Sequence, residues 1–222
     1  MSTDYTLAIE SATARGSVAV LRGGEIVSVR EVLMRAGDEE RLMPAVAACC
    51  DEAAVIPGDF ARVVCGEGPG SFTSLRIGAS IAKGVALAAD RPLFAVPSLL
   101  LSVASVAQQI PSGRYLSVLD AQRGELFALL VERGEDGRIL ASGELEIIAA
   151  SEVGRLAALA GARVAGPEQE VSTWPRAAGL AVLLPGVLQG GSVDLVSWEP
   201  VYGRAPEAQV RWEKAHGRAL ST

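Results

Sequence analysis

Histidine is almost missing from this sequence: there is one, His216, in a chain of 222 residues. Zinc hydrolysis asks for a constellation such as His-Glu-x-x-His, and serine or cysteine hydrolysis for a base beside the nucleophile. Neither can be assembled around one histidine near the C-terminal end. Proteolysis and catalytic metal binding are therefore set aside, and His216 reads as a solvated tail residue. Cysteine is scarce as well, with Cys49, Cys50 and Cys65 and no Cys-x-x-Cys pair. That makes no disulfide framework, fits a reducing compartment, and reads all three as small core side chains. Runs of Lys and Arg are absent and the net charge is −6, whereas a protein that holds nucleic acid unaided usually shows a basic face. Any nucleic-acid role is expected to go through a partner. No uninterrupted apolar run reaches membrane-spanning length; the best, Ala79 to Ala89, contains Lys83. The opening Met1-Ser2-Thr3-Asp4-Tyr5 has neither the basic nor the apolar region of a secretion signal. A soluble cytoplasmic protein with no membrane role is the expectation.

What is abundant is apolar residue, 50% of the chain against 21% charged, which indicates a folded globular protein. The organising stretch is Gly66-Glu67-Gly68-Pro69-Gly70-Ser71, set between the apolar run Val63-Val64-Cys65 and a long run of small and apolar residues ending near Ala89. The layout is strand, glycine turn, helix, with Ser71 as the expected N-cap. Such a turn can offer backbone N–H groups to a phosphate, or it can let the helix pack closely on a sheet. It is not a Walker A loop, because no Gly-Lys-Ser/Thr follows.

Around this turn the chain repeats itself. Leu7 to Glu10 is an apolar strand ending in an acid, followed by a turn, a strand Ser17 to Leu21, a Gly23-Gly24 hairpin, a strand Ile26 to Leu33 and a helix over 39–53. Pro92 to Val96 reads as a further strand, and Pro97-Ser98 starts a helix to about Gln109. Then Tyr115 to Asp120 is again a strand ending in an acid, followed by Gly124, a strand Leu126 to Val131, a hairpin turn Gly134 to Gly137, a strand Ile139 to Ile148 and a helix Ser151 to about Leu159. Ala162 to Gly166 and Leu180 to Leu184 read as further strands, and Glu199 to Tyr202 as an extended turn. The matching order predicts two related α/β halves, residues 1–100 and 101–222, joined somewhere within 97–113. Two such halves suggest the actin/Hsp70/sugar-kinase architecture, in which acid-tipped turns face each other across a phosphate-binding cleft. The acids here are Glu10 and Asp120. They can hold a magnesium-bound water or cap nearby amides, and Arg123 can bind an anion or pair with Asp120. The candidates for nucleotide or anion binding are Glu10, Ser11, Thr13, Gly68, Gly70, Asp120 and Arg123.

The helix after the glycine turn has apolar residues around most of its circumference. Thr73, Arg76, Ser80 and Lys83 form one polar stripe; Leu75, Ala79, Ala82 and Ala86 lie on one side of it, and Ile77, Ile81, Val85 and Ala88 on another. A helix covering one sheet needs a single apolar face. A second small, apolar face invites another helix, from this chain or from a partner. The residues assigned to a docking interface are Leu42, Val46 and Cys49 on the helix over 39–53, with Leu75, Arg76, Ala79, Ala82, Lys83 and Ala86 on this one.

The run Gly68-Pro-Gly-Ser-Phe-Thr-Ser-Leu-Arg-Ile-Gly78 resembles the GPGSFTGLRIG signature of the TsaB (YeaZ) family. Leu7-Ala-Ile-Glu-Ser-Ala-Thr13, Leu119-Asp-Ala-Gln-Arg-Gly-Glu125 and Glu199-Pro-Val-Tyr202 resemble the family's other landmarks in the same order. The resemblance implies an actin-like (ASKHA, ribonuclease H-like) fold and a part in making N6-threonylcarbamoyladenosine in tRNA. It implies a non-catalytic subunit that scaffolds and activates the paralogous catalytic subunit TsaD, the bearer of the metal-binding histidines, with the ATPase TsaE as a further partner. Pairing through the N-terminal helices, and a homodimer through the same surface when TsaD is absent, are implied too. No cofactor is required, ATP or ADP belongs at a partner interface if anywhere, and tRNA is met through the complex. Older names call such proteins M22 glycoproteases. The chain departs from the family pattern at Ser74 (usually glycine), at Glu10 (usually aspartate) and in a short segment between Leu184 and Glu199 with Gly190-Gly191 where a helix is usual. The alternative from another class is an ATP- or sugar-phosphate-binding enzyme of the same fold, using Glu10, Asp120 and the glycine turn.

Overall fold

The computed structural model describes residues 4–34 and 40–204. The first half starts with β1 (Tyr5–Glu10), β2 (Arg15–Arg22) and β3 (Glu25–Leu33), an antiparallel meander turned at Gly23-Gly24, where both residues take positive φ. Then come α1 (Leu42–Ala53), β4 (Phe60–Gly66), α2 (Phe72–Ala89) and β5 (Leu93–Val96). β4 lies parallel to β1 and β5 parallel to β4, so the sheet order is β3-β2-β1-β4-β5. β1 sits in the middle, and all its residues but Tyr5 are buried. Because successive side chains alternate between faces, Leu7 and Ile9 join Val63, Cys65 and the inner sides of α1 and α2 in one core, while Ala8 and Val64 enter another.

The second half follows: α3 (Ser98–Ala104), β6 (Gly113–Asp120), β7 (Glu125–Arg133), β8 (Ile139–Ala141), β9 (Glu146–Ala149), α4 (Val153–Ala160), β10 (Ala162–Gly166), β11 (Val171–Ser172) and α5 (Leu180–Gly190). Its sheet runs β11-β10-β6-β7-β8, the same order as the first sheet read from the other end, with β9 also on β7. The two related α/β halves expected from the sequence are those of an actin-like fold. They differ in one respect that matters for function. Where α2 joins β4 to β5, the second half goes from β10 to β11 through residues 167–170 without a helix.

Ala8, Ala19, Leu21, Val64 and Phe94 of the first sheet, Leu119, Phe127, Leu129 and Val131 of the second, and Leu99, Leu101 and Val103 of α3 share one buried cluster, closed by Leu180, Leu183 and Leu184 of α5. Three hydrogen bonds cross the same region. The Ala177 amide donates to Ser17 Oγ (2.8 Å), Thr173 Oγ1 to the Ser102 carbonyl (2.7 Å), and Ser117 Oγ to the Leu99 carbonyl (2.8 Å). The side chains of α3 thus belong to a core that both sheets share.

Three local expectations differ from the structure. Leu180 to Leu184 is the start of α5, not a strand; Leu180, Leu183 and Leu184 are the buried positions, a helical spacing that a short all-apolar run conceals. The helix begun at Ser98 ends at Ala104, where Ser105 Oγ donates back to the Leu101 carbonyl and tightened i−3 bonds carry the chain on to Gln109. The strand expected over Ile139–Ile148 is broken by Ser142-Gly143, and its two pieces, β8 and β9, pair with opposite ends of β7. The first turn expected for the helix over 39–53 begins outside the described residues, as does His216.

Leu180→Ala removes a side chain 1% exposed in the shared cluster. It is expected to cost about 2–5 kcal/mol and to lower the urea midpoint in one cooperative transition; two separated transitions would mean that the halves fold independently.

Candidate functional site

The glycine turn is held from three directions. The Glu67 amide donates to the Val96 carbonyl (2.9 Å), the Gly68 amide to Ser98 Oγ (3.1 Å) and the Ser71 amide to the Ala12 carbonyl (2.7 Å). A phosphate cradle needs such amides free and converging; here they are spent on β5, on α3 and on the β1–β2 turn. The glycines serve close approach. A Cβ at Gly70 would stand 2.1 Å from the Ala12 carbonyl oxygen, one at Gly66 1.9 Å from Glu10 Oε2, and one at Gly78 2.2 Å from Ser11 Oγ. Ser71 takes the N-cap position of α2 without a side-chain cap; its hydroxyl instead accepts from Ser74 Oγ (3.1 Å). Ser74, the residue that departs from the family glycine, is thus accommodated by that bond.

Glu10 and Asp120 do not form a matched pair. Glu10 is 0% exposed, accepting from the Ala12 amide at Oε1 (2.6 Å) and from Ser98 Oγ at Oε2 (2.8 Å). Burial pushes its carboxyl up to about 7, against the opposing pull of those two bonds. Asp120 is exposed and accepts from the Gln122 backbone and side-chain amides, both at 2.8 Å. Ser11 is buried, and Thr13 Oγ1 accepts from the Arg15 amide (3.1 Å). Gln122, Arg123 and Gly124 all have positive φ, so Arg123 belongs to a tight left-handed turn. The capping reading of both acids is the one with hydrogen bonds behind it. All three cysteines are free and buried, with thiols raised by burial. Among the described residues no group of three or more His, Cys, Asp and Glu is placed to hold a metal ion.

The assignment of the docking face needs correction. Leu42, Val46, Cys49, Leu75, Ala79, Ala82 and Ala86 are at most 6% exposed and pack into the first half's interior. Only Arg76 and Lys83 of the residues assigned to it reach solvent. The small side chains lie against the sheet because they allow α2 a close approach to β4. What faces outward is the polar stripe with part of the second apolar face beside it: Thr73, Arg76 and Ser80 of the stripe, with Phe72, Ile77, Ile81 and Glu40 before α1, line a groove of about 410 Å³. Leu87 on the same helix and Met43 on α1 are exposed as well, at 72% and 47%. Gly84 is exposed in mid-helix, and among the described residues nothing beyond its own helical turn comes within 4 Å of where a Cβ would stand. Such a glycine costs about 1 kcal/mol relative to alanine and has no explanation within the chain's own packing. The signal was present in Ile77, Ile81 and Ala88; pattern alone does not tell which of two apolar faces turns inward.

Two α/β halves of identical strand order define an actin-like protein. Residues 35–182 match the family model described as TsaD: tRNA N6-adenosine threonylcarbamoyltransferase. The chain is 30% identical to the tRNA threonylcarbamoyladenosine biosynthesis protein TsaB of Escherichia coli (strain K12) over 96% of this chain and 98% of that one. It is also 30% identical to the Bacillus subtilis (strain 168) protein of the same name, over 57% and 54% of the two chains. The crystal structure of a Pseudomonas aeruginosa protein described as similar to peptidase YEAZ superposes with a TM-score of 0.75 at 24% identity, covering 90% of this chain and all of that one. The chain belongs to the TsaB (YeaZ) family.

The buried carboxyl makes stability depend on pH. Unfolded, Glu10 loses its proton near its ordinary value of 4.5; folded, it keeps it to about 7. The native state therefore binds more protons across that window, and this contribution to stability is lost as pH rises through it. Glu10→Gln, neutral throughout, is expected to gain stability relative to the parent between pH 4.5 and 7.5, read from urea midpoints at each pH.

Proposed function

We propose that this chain is the non-catalytic scaffold subunit of the complex that forms N6-threonylcarbamoyladenosine in tRNA, binding and activating a TsaD-type catalytic subunit. The observation that carries the reading is the outward face of α2. It sets the apolar side chains of Phe72, Ile77 and Ile81 among polar ones, it carries an exposed glycine, and it stands on the one helix the second half does not repeat. A TsaD-type partner is itself related to this chain, since the TsaD family model matches it. Two related actin-like halves can thus meet through equivalent helices, α2 against its counterpart, with Gly84 letting the backbones cross closely. A second copy of this chain uses the same face when the catalytic subunit is absent. A TsaE-type ATPase joins the pair, ATP or ADP is met at a partner interface, and tRNA contacts come through the complex in the cytoplasm, consistent with a net charge of −6. No described helix is long and apolar enough to cross a membrane.

Two experiments test this. In reconstitution, tRNA modification by the catalytic subunit is expected to require this chain. Micromolar binding of ATP and magnesium by the isolated chain, with no effect on that modification, would favour the enzyme reading instead. At the interface, Gly84→Leu is expected to leave the monomer at least as stable, because leucine is the better helix former by about 1 kcal/mol, while pairing measured by analytical ultracentrifugation is lost. Ala82→Glu, which places a charge in the first half's core, is expected to unfold the chain.

A further inference from the structure

The segment Glu199–Arg204 runs from one half to the other along the rim of the groove. The Val201 amide donates to the Glu67 carbonyl (2.7 Å), just beyond β4. Tyr202 packs on Phe72 in a tilted ring contact, with centroids 4.6 Å apart and planes inclined at 44°, and its hydroxyl donates to Glu199 (3.1 Å). Phe72 is itself a wall of the groove and carries the Arg76 guanidinium 5.5 Å from its ring centroid. Beyond Tyr202 the chain touches the second half. Gly203, at a φ of +71°, lies so near the Phe127 ring that a Cβ would come within 2.4 Å of it, and Arg204 forms an ion pair with Glu125 at the start of β7. Glu125 closes the β6–β7 turn: its carbonyl accepts from the Ala121 amide (3.0 Å) and its amide donates to the Gln122 carbonyl (3.1 Å). One short segment therefore connects a groove-lining side chain to the residue that shuts the turn bearing Asp120 and Arg123.

We propose that Glu199–Arg204 is a latch that couples occupancy of the α2 groove to the β6–β7 turn of the second half. An occupant that packs on Phe72 holds Tyr202 in place, and through Gly203 and Arg204 it clamps Glu125 and the turn. Loss of the Phe72 ring does the reverse. The latch gives a partner on one half control over how firmly Asp120 and Arg123 are presented on the other. The inference rests on the groove being a docking site, but its test needs no partner, so the two readings can fail separately.

The experiment is native-state hydrogen exchange on the full chain, reading the amides of Ala121 and Glu125 with Val164 in β10 as a control for global destabilisation. Arg204→Gln is expected to speed exchange at the two turn amides about two- to fivefold, the change that loss of an ordinary ion pair produces. Phe72→Ala is expected to do the same from the other half. The double variant should be no faster than Arg204→Gln alone, because both act along one path. Tyr202→Leu, which leaves α2 intact, should reproduce the effect if Phe72→Ala perturbs the helix. Turn amides that keep the parent's rate in Phe72→Ala and Tyr202→Leu, or that quicken only together with Val164, or a double variant equal to the product of the singles, would overturn the latch.

Discussion

A single buried carboxyl ties the first half to the start of the second. Glu10 holds the β1–β2 turn through the Ala12 amide and, through the Ser98 hydroxyl, both the first residue of α3 and the Gly68 amide of the glycine turn. Because Gly66 has no side chain, the carboxyl can lie directly under the turn. That contact decides where α2 is launched and where α3 sets off between the sheets. A buried carboxyl is costly unless its hydrogen-bonding capacity is used; here the Ala12 amide and the Ser98 hydroxyl use it, and the price is its raised proton affinity. The same contact bears on the glycine turn, where the Glu67, Gly68 and Ser71 amides are each bonded to another segment of the chain.

The second consequence lies in the core. With α3 and α5 packed between the two sheets, the cluster that stabilises one half is also that of the other. Separating the two sheets would expose that shared cluster to water. What remains adjustable is at the rim, where α2, the segment after Trp198 and the β6–β7 turn meet through a few side chains.

Much of this was legible in the residue order. The repeated pattern of an acid-tipped strand, a turn, a hairpin and a helix is local, and the double sheet follows from it. The helix at 180–190 was not legible, because Leu180-Ala-Val-Leu-Leu184 satisfies a buried strand and a buried helix equally until neighbours are in place. Nor were the break in the third strand of the second half and the early end of α3, which depend on which carbonyls Ser105 and the β7 edge make available.

The candidate site divides in the same way. Sequence by itself determined that the glycine stretch opens a helix with two apolar faces, that a single histidine is present, and that Gly68–Gly78 carries the family signature. Only the tertiary structure decided which face is which. Helical spacing is unchanged by rotating the helix about its axis, whereas contact with a sheet is not; Ala79, Ala82 and Ala86 turned inward, where the sheet comes close, Ile77 and Ile81 stayed half-buried at the edge of the core, and Gly84, Leu87 and Ala88 were left toward solvent. The stretch around Gly66 remains the centre of the molecule for the same reason: its glycines allow a carboxyl and two backbones to approach closely enough to aim the helix that follows.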